Sequence, residues 1–204
     1  MTPIIGVIIS YLAGSIPSAY LAGKFRGVDL RKHGSGNLGA TNVVRVLGAK
    51  IGAVVFVADM LKGFLPVYFL PRYTETLRPE LWALIYGAAA IAGHVKPIFL
   101  LWKGGGKGVA TATGVFLALA VVPVLITQVI WIAVFYFTRY VSLASLVAAA
   151  VLPVAILALY RDPTSTVFVA SVVIATFVFW THRANIGRLR RGEEHRFTKK
   201  ENAA

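Results

Sequence analysis

VATATGVFLALAVVPVLITQVIWIAVFYFT, residues 109–138, decides the fold of this chain. The run holds no charge and has Pro123 near its middle. A membrane-spanning helix takes about 20 mostly apolar residues, so the run is either one long tilted helix or two short ones. Stretches of the same character surround it: Pro3–Gly23, Gly48–Leu70, Pro79–Leu101, Val141–Tyr160 and Thr164–Thr181. Loop charge settles the parity, because Lys and Arg collect on the cytoplasmic side. Lys24, Arg26, Arg31, Lys32, Arg45 and Lys50 follow the first span, and Arg183, Arg188, Arg190, Arg191, Arg196, Lys199 and Lys200 follow the last. Both groups belong inside. The third span returns the chain inside at Lys103 and Lys107, so the remainder needs an even number of crossings. One helix over 109–138 makes that number odd, and the run is therefore read as two helices split near Pro123. The expected fold is all-α, a polytopic membrane helix bundle of seven transmembrane helices with the N-terminus outside and the C-terminus cytoplasmic.

Of the 204 residues, 57% are hydrophobic and 14% charged, against about 25% charged in an average soluble domain. A single integral membrane domain over residues 1–204 is expected, with 185–204 a basic cytoplasmic tail that frays beyond Glu193. No cysteine is present, which excludes disulfides, thiolate metal sites and cysteine nucleophiles. Lys24 and Arg26 follow the first apolar run and no basic residue precedes it. That is the reverse of a secretory leader, so the run reads as a retained span. The net charge is +13. Positive-inside bias and attraction to anionic lipid explain part of it; an anionic substrate is the sharper reading. Nucleic acid is not an expected partner, since the basic residues occupy short loops between spans.

Three polar clusters interrupt the apolar pattern. The first is Arg31-Lys32-His33-Gly34-Ser35-Gly36-Asn37-Leu38-Gly39-Ala40-Thr41-Asn42-Val43-Val44-Arg45. Glycines let a backbone turn its N–H groups inward as an anion nest. Ser35, Asn37, Thr41 and Asn42 add donors, and Arg45 can fork onto a phosphate. An ordinary polar turn would need fewer residues. The second cluster is Lys103-Gly104-Gly105-Gly106-Lys107-Gly108-Val109-Ala110-Thr111. It resembles a P-loop, but that motif needs Ser or Thr directly after the lysine. Gly108 stands there and no strand precedes, so phosphate binding at a helix start is kept and a nucleotide P-loop rejected. A flexible glycine hinge is the plainer alternative. The third cluster opens the tail, where His182 and Asn185 share a helical face at i and i+3. Alone it would read as a basic stop signal.

Within the spans lie Asp59, Lys62, His94 and Lys96. Charges at membrane depth are costly and face the bundle interior or water. Asp59 and Lys62, at i and i+3, read as an ion pair that braces the fold or supports the site. His94 reads as a packing histidine, and Ser142 and Ser145 as small packing residues. Acidic residues are too scarce for a two-metal or Mg-carboxylate centre. There is no Gly-x-Ser-x-Gly elbow, and no histidine has an aspartate five residues later. What remains is a face of cations and glycines against a bilayer, suited to phosphorylated reactants of which at least one is lipidic. A transporter or channel for a phosphorylated anion is the rival class. Cations at one face rather than the midplane, and no inverted repeat, speak against it.

The order of the motifs carries a resemblance. Gly14-Ser15-Ile16-Pro17-Ser18-Ala19-Tyr20, the Gly34–Asn42 stretch with Arg45, Asp59 to Gly63, and Gly93-His94 with Pro97 come first. Lys107-Gly108-Val109-Ala110-Thr111, Ser142-Leu143-Ala144-Ser145 and His182-Arg183 with Asn185-Ile186 follow. In this order they closely resemble the bacterial acyl-phosphate:glycerol-3-phosphate acyltransferases, the PlsY family. Gly104, Gly105 and Gly106 make three glycines where the family's commonest loop has two; Lys107 carries over on the Gly-Val-Ala-Thr that follows it.

The resemblance implies transfer of the acyl group of a fatty acyl phosphate to the sn-1 hydroxyl of glycerol 3-phosphate. The products are lysophosphatidic acid and phosphate, in the first acylation step of bacterial phospholipid synthesis. It implies a multi-pass protein of the bacterial inner membrane, with the active site on the cytoplasmic face and no cofactor, metal or coenzyme A thioester. Expected partners are the two substrates, membrane lipid and the soluble enzyme that makes acyl phosphate. Ser35, Arg45, Lys107, His182 and Asn185 become the expected catalytic residues. Gly34, Gly36, Asn37, Thr41, Asn42, Lys103, Gly104, Gly105, Gly106, Gly108 and Thr111 become substrate- or phosphate-binding. Asp59, Lys62 and His94 become supporting residues. The base is His182 or a substrate phosphate oxygen, the latter favoured because carboxylates are lacking.

Overall fold

In a computed structural model the described residues, 1–197, are helical with no strand among them. The expected tail cations Lys199 and Lys200 lie outside the described residues. The chain divides into two compact units, one over Met1–Leu119 and one beginning at Ala120.

The first unit contains α1 (Pro3–Ser15), α2 (Ser18–Phe25), α3 (Ala40–Leu47), α4 (Ala49–Phe69), α5 (Pro79–Val95) and α6 (Val109–Leu119). α1 and α2 make up the first expected span, broken at Ile16 and Pro17. Pro17 has no N–H to donate and disfavours helical geometry at Ile16. α1 packs along α5, and α4 along α6. Both contacts are built on glycine. Gly14 lies against the Ala90 carbonyl and Gly93 against the Tyr11 carbonyl; Gly63 meets the Thr111 carbonyl and Gly114 that of Met60. None of the four leaves room for a β-carbon. Lipid tails are as apolar as the helices, so close backbone approach supplies the packing gain that hydrophobic burial supplies in water.

α3 departs from the sequence reading, which leaves its residues in a loop. It buries Asn42 and Val43, and Val43 packs in a small core with Ala19, Leu30, Leu38 and Val55. A helix of 8 residues flanked by polar residues is too short for apolar periodicity to announce it.

The second unit contains α7 (Val121–Thr138), α8 (Val141–Tyr160), α9 (Thr166–Thr181) and α10 (Arg183–Arg190). α8 packs against α7 and α9. Ser165 Oγ caps α9 by accepting from the Phe168 N–H at 3.3 Å, and α10 leaves α9 at a bend of 60°. The chain beyond Glu193, expected to fray, is tied down as far as Phe197. Glu194 is buried between Asn185 and Arg188. The Phe197 N–H donates to the Arg139 carbonyl at 3.0 Å, and its ring meets Phe135 edge-on.

Pro3–Phe25, Ala49–Tyr73, Pro79–Leu100, Val121–Thr138 and Val141–Tyr160 are long and apolar enough to cross a membrane, with α9–α10 a further candidate. The chain is an integral membrane protein. The run 109–138 is divided into α6 and α7 at Ala120, close to the expected Pro123. α6 has 11 residues, about 16 Å of helix at 1.5 Å per residue, or roughly half the ~30 Å hydrocarbon core.

Candidate functional site

The first and second polar clusters meet in the first unit, where the Leu38 N–H donates to the Gly105 carbonyl at 3.3 Å. Asn42, buried at the start of α3, organises the first loop. Its Oδ1 accepts from the Ser35 N–H at 2.8 Å, and its Nδ2 donates to the carbonyls of Leu30 at 3.2 Å and His33 at 3.1 Å. Gly34 turns there with φ +61°, and a β-carbon on it would strike Asn42 Oδ1. Asp29 holds Arg31 through paired contacts of 2.9 and 3.0 Å. The Arg31 guanidinium in turn brings the Asp29 carboxyl down to about 2.

Several amides of the first loop are committed within the protein. The Ser35 amide is committed to Asn42, Gly36 to the His33 carbonyl at 3.1 Å, Asn37 to Ser35 Oγ at 3.5 Å and Leu38 to Gly105. These four N–H groups order the loop rather than face an anion. Ser35 itself is exposed. Nearby His33 directs Nδ1 to the Asp29 carbonyl at 2.9 Å. Thr41 and Arg45 are half-buried on α3, Arg45 in its last turn.

The second loop is a packed turn, not a loose hinge. Gly104 and Gly108 adopt φ of +88° and +84°, where L side chains are strained. Gly105 lies against the Val95 carbonyl and Gly106 against the His94 ring, both too close for a β-carbon. The Gly106 N–H donates to the His94 carbonyl at 3.2 Å. The Gly108 carbonyl accepts from Ala112 at 2.8 Å, which opens α6 beside half-buried Lys107. Lys103 is exposed, whereas Thr111 is fully buried, its backbone carbonyl against Gly63.

Beneath the loops lies a buried polar cluster. Lys62 Nζ is 2.7 Å from Asp59 Oδ1, and His94 Nδ1 is 3.8 Å from the same oxygen. A small pocket ends on these three residues and is walled by Ile16, Pro17, Ser18, Leu38, Pro97 and Gly105 among others. The expected ion pair is there, and His94 does pack, though its neighbour is the glycine loop as well as α4.

In the second unit, His182 and Asn185 are both buried at the α9–α10 bend. His182 Nδ1 lies 2.8 Å from the Val178 carbonyl. A carbonyl only accepts, so that nitrogen carries the proton and Nε2 is the basic one. Asn185 Nδ2 donates to Glu194 Oε1 at 2.6 Å, and Arg188 Nε to Glu194 Oε2 at 2.7 Å. Burial pushes the Glu194 carboxyl up, but the hydrogen-bonding groups of Asn185, Ser142 and Arg188 together with the Arg188 charge outweigh it and hold the group below its usual range. Ser145 Oγ accepts from Trp131 Nε1 at 3.2 Å, a hydrogen bond beyond simple small-residue packing.

Sequence reasoning missed Glu194, Tyr11 and Trp102. A lone acid within a basic run was the available sign of Glu194. Tyr11 and Trp102 are 91 residues apart, and nothing local marks them as partners.

A family model described as glycerol-3-phosphate acyltransferase matches residues 4–192. The chain is 46% identical over 192 residues to a glycerol-3-phosphate acyltransferase of Fusobacterium nucleatum, covering 94% of this chain and 96% of that one. It is 43% identical over 192 residues to the Aquifex aeolicus protein of that description, covering 94% and 97%. Among solved structures it is similar to PlsY (YgiH), an integral membrane glycerol 3-phosphate acyltransferase. The glycerol 3-phosphate form superposes with a TM-score of 0.88 at 39% identity, covering 98% of this chain and 97% of that one. The lysophosphatidic acid form gives 0.86 at 37% identity, with the same coverage.

Proposed function

The chain belongs to the glycerol-3-phosphate acyltransferase family, and from that premise we propose that its acyl donor is a fatty acyl phosphate and its acceptor the sn-1 hydroxyl of glycerol 3-phosphate. The hydroxyl oxygen attacks the acyl carbonyl carbon, the carbonyl–phosphate C–O bond breaks, and the hydroxyl proton leaves with a phosphate oxygen. The products are 1-acylglycerol 3-phosphate and phosphate, in the first acylation step of bacterial phospholipid synthesis. The supporting observation is the junction of Leu38 with Gly105, which unites the segment leading into α3, the helix that carries Arg45, with the Lys107 loop in one folded unit.

Phosphate is already a good leaving group, so the enzyme's task is to bring two anions together and orient them. Positioning alone is worth up to about 7–11 kcal/mol of the barrier, and fixed cations add to it. Arg45 and Lys107 offset phosphate repulsion, with the α6 N-terminus reinforcing Lys107. Asn42 shapes the first loop through Ser35, Leu30 and His33, leaving Ser35, Asn37 and Thr41 for the substrate. His182 and Asn185 are assigned to turnover, with a substrate phosphate oxygen preferred as base. Asp59, Lys62 and His94 support the glycine loop from below. No cofactor or thioester takes part. The whole chain acts as a single acyltransferase domain at the cytoplasmic face of the inner membrane. Its seven spans place the N-terminus outside, with short α6 and α9 counted as crossings.

The test supplies palmitoyl phosphate and glycerol 3-phosphate to purified protein in lipid mesophase without metal, following phosphate and lysophosphatidic acid together. Palmitoyl-CoA is the control donor. Both products from the acyl phosphate, none from the thioester, and loss of both in Lys107→Ala are expected. Equal turnover of the thioester would overturn the donor assignment. Folded protein that makes neither product but carries glycerol 3-phosphate into liposomes would overturn the acyltransferase reading in favour of transport.

A further inference from the structure

The backbone that leads into the glycine loop is held in an improbable shape. Leu101 and Trp102 both adopt left-handed geometry, with φ of +51° and +58°. Bulky residues rarely do so, and persist there only where the surroundings hold them. Trp102 is more than half exposed, so burial does not hold it. Its Nε1 donates to the Tyr11 hydroxyl at 2.8 Å, and that hydroxyl donates to the Lys96 carbonyl at 2.8 Å. One phenol oxygen therefore ties the end of α5 at Lys96 to the left-handed turn at Trp102. Tyr11 is itself well anchored. Its backbone carbonyl lies against Gly93 of α5 and accepts from Ser15 Oγ at 2.8 Å.

We propose that Tyr11 is a positioning residue for the glycine loop, acting through Trp102 to fix where Lys103–Lys107 lie over the end of α5. The inference rests on the reading of that loop as a phosphate-binding element. The loop is fastened at two other points, Gly106 to the His94 carbonyl and Gly105 to Leu38. Both lie on its far side, beyond Gly104. On the near side the Trp102 N–H donates to the Pro97 carbonyl at 3.0 Å and the Lys103 N–H to the Leu100 carbonyl at 2.9 Å, which close the turn locally. The Tyr11 hydroxyl adds a side-chain tie from that turn to α1. An aromatic belt at the membrane surface would account for a Tyr and a Trp here. It would not account for the hydrogen bond that joins them or for the second one, from the same phenol to the Lys96 carbonyl.

Tyr11→Phe removes one oxygen and keeps the ring; Trp102→Phe removes the donor. In the purified full chain each is expected to raise the KM for a phosphate-bearing substrate about tenfold with kcat nearly unchanged, the pattern of lost binding rather than lost chemistry. The double variant is expected to be no worse than the worse single one, because both remove one interaction. Hydrogen exchange should accelerate at the Trp102–Gly106 amides and not in α1 or α5. Wild-type KM in both variants, alongside an inactive Lys107→Ala, would overturn the proposal. So would unchanged loop exchange, or loss of protection throughout the unit. If Lys107→Ala instead keeps wild-type KM and kcat, the phosphate reading of the loop fails, and exchange alone decides whether Tyr11 holds it.

Discussion

The Lys62 ammonium donates to the Ile16 carbonyl at 2.6 Å, joining the interior of α4 to the break between α1 and α2. Pro17 causes that break and leaves the helix end with carbonyls that lack intrahelical donors. Lys62 answers one of them, while Asp59 balances its charge at 2.7 Å. Each partner is buried, so removal of one strands the other. Lys62→Met should cost about 3–5 kcal/mol, the range for breaking a buried ion pair. Adding Asp59→Asn should recover part of that loss. Thermal unfolding in one detergent checks both, and a double variant less stable than Lys62→Met would refute the pairing argument.

Gly106 and His94 give a second prediction. A β-carbon at Gly106 would enter the imidazole ring of His94. Gly106→Ala should shift the glycine loop and lower kcat/KM by on the order of 100-fold, as misplacement of about 1 Å can. His94→Ala in the same chain should restore part of the activity by making room. Steady-state kinetics of the three variants are the check, and no recovery in the double variant would mean that the clash is not the cause.

Glu194 gives the third. Its carboxylate accepts from both Asn185 and Arg188, so Glu194→Ala leaves a buried amide and a guanidinium without their acceptor. Hydrogen bonds to charged groups contribute about 1.5–3 kcal/mol, and a loss of that size is expected on unfolding. Glu194→Gln keeps an acceptor oxygen and should lose less. Equal stability of the alanine and wild-type proteins would show that the tail segment is not held by this carboxylate.

The fourth concerns pH. Arg31 hydrogen-bonds Asp29 and brings its carboxyl to about 2, against about 3.9 in an unfolded chain. A carboxyl depressed on folding stabilises the folded state fully above its unfolded value, and that contribution is lost as pH falls through the folded one. The first loop should therefore keep its order from neutral pH to about pH 4 and lose this support between there and about pH 2. Amide NMR of Arg31 and Lys32 should inflect near the lower value. Asp29→Asn should abolish the inflection.

The glycine loop shows how far the sequence reads by itself. Residues 103–108 are marked by composition, since few other functions call for three consecutive glycines between lysines at a helix start. Composition could not separate a hinge from a packed turn, because that depends on the Val95 carbonyl and the His94 ring lying within reach. The role of Asn42 in the first loop was hidden for a related reason: it lies on a helix too short to show in the pattern, and its side chain takes the Ser35 amide and the Leu30 and His33 carbonyls. His182 and Asn185 were marked by their i, i+3 spacing, but the carboxylate that orients Asn185 lay in a segment whose charge suggested fraying.

The sequence alone determined the membrane character, the positions of the apolar helices and the division of 109–138. Each of these depends on local length and polarity, because a backbone in lipid must satisfy its own hydrogen bonds within the segment. Only the tertiary structure decided which residues meet. Lys62 and Ile16 are 46 residues apart and Tyr11 and Trp102 are 91. Their contacts are set by close helix approach at Gly14, Gly93, Gly63 and Gly114. That approach depends on the shape of two surfaces together, which no single segment of the chain contains.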